Sequence, residues 1–223
     1  MANGRIRASA ASTPAEGDAA ATRERILLEA SRLFRQRGYA ATALREIAQA
    51  AGIKAGSIYY HFASKDEILV EVLDKGIDLV AEAVRARAEA LPATATAMDR
   101  IGAAIEGHLW GLLENGDYTS ANIKLYGQSP PEVKRRHKLV RRRYADYWDH
   151  LFEQALLRGE LRQDLSLPVI RLLVIGGLNW TVEWYNPARG SFNDFVAQIK
   201  KIIFDGLRAP GVPGLGPPGG PPR

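Results

Sequence analysis

Apolar residues recur at helical spacing from Arg23 to Leu207, and no stretch between them alternates like a strand. Prolines are largely kept out of that region. Six of the twelve fall in residues 209–223, where eleven of fifteen residues are Gly or Pro. A body this poor in helix breakers reads as all-α. The plainest stripe is Phe192, Phe195, Val196, Ile199, Ile202, Ile203 and Leu207, in a helix over 191–208. Further helices are expected over Arg23–Arg37, closed by Gly38, and over 64–90, 96–115, 119–127, 131–158 and 167–185. Ser64-Lys65-Asp66-Glu67 reads as a capping box that opens the 64–90 helix.

The chain has 223 residues and no cysteine. That removes a disulfide framework, a thiolate zinc site, an iron–sulfur cluster and a Cys nucleophile. Only four His are present, and there is neither a phosphate-binding Gly loop nor a Gly-x-Ser-x-Gly elbow. An enzyme is therefore not expected, nor a cofactor. His108 and His150 are the one pair worth weighing as metal ligands, and two isolated His are more often structural. The apolar run at 167–185 is broken by Pro168, Arg171, Asn179 and Glu183, so no membrane partner is expected. A cytoplasmic binding protein fits these exclusions.

The formal charge of +5 hides two basic blocks. Residues 22–65 hold eight basic and three acidic residues. Residues 132–143 hold seven basic and one acidic. The stretch between 66 and 90, with three basic and seven acidic, separates them.

Within the first block, Leu44–Ala51 is a short helix, Gly52 supplies the left-handed turn, and Lys54–His61 forms a second short helix. Two short helices about a tight Gly turn make a helix-turn-helix, here over 43–62. Small residues Ala55, Gly56 and Ser57 lead the second helix and let its backbone approach a major groove. Tyr59, Tyr60, His61 and Lys65 carry tips suited to phosphate, as do Thr42 and Arg45 at the start of the preceding helix. Ile58 and Phe62 read as core.

Gly38-Tyr39, Thr42, Ile47-Ala48 and AGIKAGSIYYHFASKDEIL (Ala51 to Leu69) together resemble the N-terminal pattern of the TetR family of bacterial transcriptional regulators. The resemblance implies an all-α homodimer with a three-helix helix-turn-helix domain that reads palindromic double-stranded operator DNA. A larger helical domain for effector binding and dimerisation would follow. It implies DNA contacts from Thr42, Arg45, Lys54, Ala55, Gly56, Ser57, Tyr59, Tyr60, His61 and Lys65. Lys54 and Ala43 depart from the family pattern, which usually caps both helices with Ser or Thr, a cap worth about 1 kcal/mol each. The expected organisation is a disordered arm over 1–21, a DNA-binding domain over 22–82, a ligand-binding and dimerisation domain over 83–208, and a disordered tail over 209–223.

The second block starts a helix after Pro130-Pro131 and continues into Tyr144, Tyr147, Trp148, Leu151 and Phe152. Seven cations in ten residues, Arg141 and Arg142 among them, invite phosphates, or else form a solvated face. All four Trp lie outside the DNA-binding domain. Trp110, Leu113, Tyr126, Tyr144, Tyr147, Trp148, Phe152, Trp180 and Trp184, with Asn122, Asn179 and Glu183, supply the apolar walls and few polar groups of an effector pocket. Leu178–Pro187 and SPPEVKRRHKLVRRRYADYW (Ser129 to Trp148) resemble TetR-family regulators of steroid and fatty-acid catabolism, some of which respond to acyl-coenzyme A thioesters. That implies a small-molecule effector of acyl-CoA type. The alternative is a neutral or cationic hydrophobic compound. The helices at 167–185 and 191–208 are apolar enough to pair with their mates in a four-helix dimer interface.

Overall fold

A computed structural model describes residues 14–208 and Gly211. Eight α-helices, with three short 3-10 segments between them, account for nearly all of this. They are α1 (Pro14–Arg37), α2 (Leu44–Ala50), α3 (Lys65–Glu89), α4 (Ala97–Glu114), α5 (Gly116–Leu125), α6 (Pro131–Leu157), α7 (Leu167–Trp184) and α8 (Phe192–Leu207). No strand forms among the described residues; one isolated bridge joins Leu161 to Arg208. No described helix is long and apolar enough to cross a membrane.

Two local expectations change. Helix α1 begins at Pro14, so residues 14–21 belong to it and not to a loose arm; Pro is favoured at a helix start because its missing N–H has no partner there. Residues 1–13 of the expected arm and nearly all of the 209–223 tail lie outside the described residues. At the head of α3, Ser64 accepts the Glu67 N–H, but the Glu67 carboxylate takes the Ala63 N–H, one residue earlier than a reciprocal box requires.

Burial organises the helices around two apolar clusters. One gathers Ile26, Phe34, Ile47, Ile58, Phe62, Ile68 and Leu73. It also takes Tyr118, Ala121 and Leu125 from α5 and Val133 from α6, so the core of the N-terminal helices is completed by residues beyond position 82. The other gathers Val80, Val84, Ile101, Ile105, Leu109, Trp148, Phe152, Leu178 and Phe204. Helix α3 contributes to both, since its 25 residues run on the order of 37 Å.

Where α3 crosses α4 the backbones nearly touch. A Cβ on Gly107 would lie 2.5 Å from the Ala83 carbonyl oxygen, and one on Gly111 would lie 3.0 Å from the Ala83 Cβ. Polar ties fasten α1 to α5: Arg32 and Arg35 reach Asp117 at 3.0 and 2.9 Å.

Candidate functional site

The helix-turn-helix is built by short-range effects. Ile47 and Ala48 bury one face of α2, Gly52 turns the chain at φ +71°, and Ala55–Tyr60 follows as a 3-10 helix. Neither helix has a side-chain cap. Ala43 has no acceptor to offer, and the Glu46 carboxylate takes its N–H at 2.8 Å; Lys54 caps nothing. Ile58 and Phe62 plug the core beneath.

The outer face of this unit is open. Arg45, Lys54, Ala55 and Gly56 are exposed, Tyr59 is 61% exposed and Tyr60 89%. Ser57 and His61 are half-buried at its edge. A Cβ on Gly56 would meet nothing within 4 Å, so the fold itself does not require glycine there.

Two expected DNA contacts are engaged inside the protein instead. Thr42 is buried and donates its hydroxyl to the Gly38 carbonyl at 2.9 Å. Lys65 donates to the carbonyls of Tyr39 and Thr42 at 2.9 and 2.8 Å and sits over the Tyr39 ring. The Tyr39 hydroxyl donates to Asp66; burial and that carboxylate hold the phenol well above its ordinary range. These residues lock the 38–42 turn onto the start of α3. Most of the basic block is likewise paired. Arg23 meets Glu71 and lies over Phe62, Arg37 meets Glu46, and Arg32 and Arg35 meet Asp117. Arg45 and Lys54 form no ion pair among the described residues, and both belong to the open face.

A cavity of about 340 Å³ lies between α3, α4, α5, α6 and α7. Ile77 and Val80 of α3, Leu112 of α4, Ile123 of α5 and Leu172 and Ile175 of α7 give it apolar walls. Polar groups enter from His108, Thr119, Asn122, Tyr126, Arg141, Tyr144, Arg171 and Asn179. Exposed Arg141 lies over the Tyr126 ring at 3.7 Å, where the cavity meets the surface. Arg171 is held by Asp149 at 2.6 Å. Asn122 donates to the Leu73 carbonyl of α3 at 2.6 Å, so one wall residue grips the main chain of the helix that leads to the helix-turn-helix.

Five of the fourteen residues expected to hold the ligand line this cavity: Asn122, Tyr126, Arg141, Tyr144 and Asn179. Trp148 and Phe152 are fully buried core, and Tyr147 packs against the same cluster. Leu113 is half-buried on another face of α4, and Trp110 is exposed beneath the Arg87 guanidinium. Arg142 pairs with Asp146 at 2.7 Å, and Glu183 with Lys124 at 3.3 Å, both outside the cavity. Trp180 is 62% exposed on α7, and Trp184 packs edge-on against Phe195.

His108 and Arg171 are additions to the expected ligand site. A lone His in an apolar helix is the available signal for the first. His108 is buried; Nδ1 lies 2.6 Å from the Tyr144 hydroxyl and Nε2 lies 3.1 Å from the Asn179 Oδ1. Burial pushes its pKa down to about 4, the Asn179 bond opposing this only in part. Unfolding releases the ring to an ordinary value near 6.5, so the unfolded state binds the extra proton. Stability is therefore present above about pH 6.5 and is lost as pH falls toward 4. Thermal melts of His108→Gln should lack the part of this loss due to His108, on the order of 3 kcal/mol; a difference from the parent that does not change with pH would refute it. His150 is exposed and does not line the cavity, and no group of three or more metal-ligating side chains forms among the described residues.

Known proteins resemble the chain in sequence and fold. The family model for bacterial regulatory proteins, tetR family, matches residues 26–72. The model for the tetracyclin repressor-like C-terminal domain matches residues 94–207. Over 207 residues the chain is 28% identical to the HTH-type transcriptional repressor KstR2 of Mycobacterium tuberculosis, covering 88% of this chain and 98% of that one. It is 24% identical over 159 residues to the fatty acid metabolism regulator protein of Bacillus subtilis, covering 70% and 79%. The solved structure of AibR in complex with isovaleryl coenzyme A and operator DNA matches with a TM-score of 0.67 at 25% identity, over 83% of this chain and 97% of that one.

Proposed function

The chain belongs to the tetR family of bacterial regulatory proteins, and on that premise we propose that it is a homodimeric repressor released from a palindromic operator by an acyl-CoA thioester. It is a transcriptional regulator and not an enzyme, as its family and relatives are. Residues 22–82 read DNA; residues 83–208 bind the effector and dimerise.

The observation that carries the effector reading is the makeup of the 340 Å³ cavity. Apolar residues of α3, α4, α5 and α7 wall it among a set of polar groups, and its open edge is marked by Arg141, within a run of exposed cations on α6 that includes Arg136, Lys138 and Arg143. A CoA thioester has the matching polarity, with phosphates at one end and an acyl group at the other. Relatives support it: one is named for fatty acid metabolism, and AibR binds isovaleryl coenzyme A.

DNA contacts are assigned to Arg45, Lys54, Ala55, Gly56, Ser57, Tyr59, Tyr60 and His61. Thr42 and Lys65 act one step back, holding the turn that sets the recognition helix. Dimerisation is assigned to α7 and α8. Leu173 and Trp180 are 72% and 62% exposed, and Gly176 and Gly177 leave open space at their Cβ positions. Pairing there would set two recognition helices about 34–36 Å apart, one turn of DNA. Leu173→Glu buries a charge in that interface. It should sediment as a monomer and lose operator binding. A variant that stays dimeric removes α7 from the interface.

Ligand acts through α3. Gly76, Ile77 and Val80 line the cavity, and Lys65, at the other end of the same helix, holds the 38–42 turn. A ligand that disfavours the DNA-bound setting of α3 lowers operator affinity by the coupling energy, typically about 1–3 kcal/mol, and operator must weaken ligand binding equally. The test uses an operator recovered by binding-site selection. Octanoyl-CoA should raise the operator Kd about 5–150-fold, with operator raising the thioester Kd by the same factor. Calorimetry that finds no CoA thioester bound, while a neutral hydrophobe binds and releases DNA, would overturn the reading.

A further inference from the structure

The inference rests on the thioester reading above and concerns which part of the ligand the cavity floor recognises. Several of the polar groups around the cavity are already engaged. Thr119 donates its hydroxyl to the Leu112 carbonyl at 2.6 Å. The Asn122 amide nitrogen donates to the Leu73 carbonyl at 2.6 Å and also lies 3.5 Å from Nε2 of the buried His137. Arg171 is engaged by Asp149. Arg141 and Tyr126 are stacked on each other at the open edge.

The remaining groups form a chain with a fixed direction. Asn179 Oδ1 accepts from His108, so Nε2 carries the ring proton. The buried ring is neutral, so Nδ1 is bare and accepts the proton of Tyr144. Tyr144 thus donates to His108, and His108 donates to Asn179. Both ring nitrogens are occupied, and so is the phenolic proton. What the chain leaves over is the amide nitrogen of Asn179. It makes no hydrogen bond among the described residues and, unlike Trp148 Nε1 in the same cluster, is not sealed off. Asn179 lies one helical turn beyond Ile175, on the cavity-lining stripe of α7. It is therefore a neutral donor set among apolar walls, with its orientation fixed from behind.

We infer that the Asn179 Nδ2–H donates to the thioester carbonyl oxygen of the bound ligand, with His108 and Tyr144 as the positioning residues that hold the amide in that orientation. The carbonyl is the acceptor nearest to the acyl chain, and a group that offers only donors suits it. Arg141, charged and exposed, is left for the phosphates. An alkyl thioether of CoA, which keeps the nucleotide and the chain but lacks the carbonyl oxygen, leaves the Asn179 amide nitrogen without a partner.

The experiment compares octanoyl-CoA with S-octyl-CoA by calorimetry on the full-length protein. The thioester should bind about tenfold more tightly, the worth of one hydrogen bond of this kind. Asn179→Asp is the informative variant. It keeps an oxygen to accept from His108 but replaces the donor with a second oxygen, so the preference for the thioester should vanish or reverse. An Asn179 that merely braces His108 would leave the preference intact in Asn179→Asp. Equal binding of the two ligands to the parent protein overturns this inference and leaves the thioester reading standing. Binding of neither overturns both.

Discussion

Replacing Lys54 and Tyr60 together by alanine is expected to abolish operator recognition while leaving the fold unchanged. Lys54 is exposed and unpaired among the described residues, and Tyr60 is 89% exposed, so neither contributes packing that the fold would miss. Exposed substitutions of this kind usually change stability by less than about 0.5 kcal/mol. On DNA the two residues count twice in a dimer. Removing four side chains from the DNA, at roughly 0.7–1 kcal/mol each, weakens affinity by about 100–1000-fold. Without its two lysine–phosphate pairs, the dimer should also show a slope of log affinity against log salt that is flatter by about 2. Fluorescence anisotropy across a salt series reads both quantities. A weakening below about threefold, or an unchanged slope, would remove this face from the DNA interface. The same change in Thr42 and Lys65 should behave differently. Their polar atoms hold the 38–42 turn, so stability and DNA binding should fall together.

The second large effect is expected at the crossing of α3 and α4. Gly107 is helical and needs no unusual backbone angle; space alone demands glycine. A Cβ there would lie 2.5 Å from the Ala83 oxygen and 2.7 Å from the Val84 Cα, both main-chain atoms that cannot rotate away. Gly107→Val adds two further methyl groups and must push the helices apart. Overpacking a core typically costs about 1–3 kcal/mol; displaced backbone puts this site at or above the upper end, lowering Tm by about 10 °C in a domain of this size. Moving α3 also moves Val80 in the cavity wall and Lys65 at the turn, so ligand and operator affinities should fall with it. Gly206→Ala provides the contrast. It is helical with nothing within 4 Å of the added carbon, and should gain about 0.5–1 kcal/mol. Equal melting of Gly107→Val and the parent would disprove the close crossing.

The contrast between two other glycine roles shows where a sequence is readable. Gly52 is legible because its role is local: a turn between two short helices needs a positive φ, and the next residues follow from it. Gly107 and Gly111 sit in an ordinary helical stretch and carry no local sign of what they touch. The helix-turn-helix is legible for the same reason as Gly52, since its turn and plug lie within about twenty residues. Thr42 and Lys65 are the exceptions within it. Their partners, the carbonyls of Gly38, Tyr39 and Thr42, come near only once the turn packs onto α3.

The cavity is legible only in part. Aromatic residues are the expected walls, but two of them, Trp148 and Phe152, are fully buried and fill the core behind it. A big ring gains most where it is wholly surrounded, so composition favours aromatics for core and pocket alike. Residues on one helical stripe share a side: His137, Arg141, Tyr144 and Trp148 lie on the core and cavity side of α6, with Arg141 exposed at the cavity edge, while Arg135, Lys138 and Arg142 face outward. That periodicity groups Arg141 with Lys134, seven residues earlier and also over the Tyr126 ring, apart from Arg135, Lys138 and Arg142. It does not say that Asn179 of α7 will meet His108 of α4 across the gap.

By itself, then, the sequence determined the all-helical fold, the helix-turn-helix and its open basic face, because helix period, turn glycine and apolar plug act over a few residues. The tertiary structure alone decided which cations are free, which aromatics are core, and that His108, Tyr144 and Asn179 form one directed chain. Those outcomes depend on how helices far apart in the chain cross, and the crossings are set by close approaches such as Gly107 on Ala83 that no local pattern encodes.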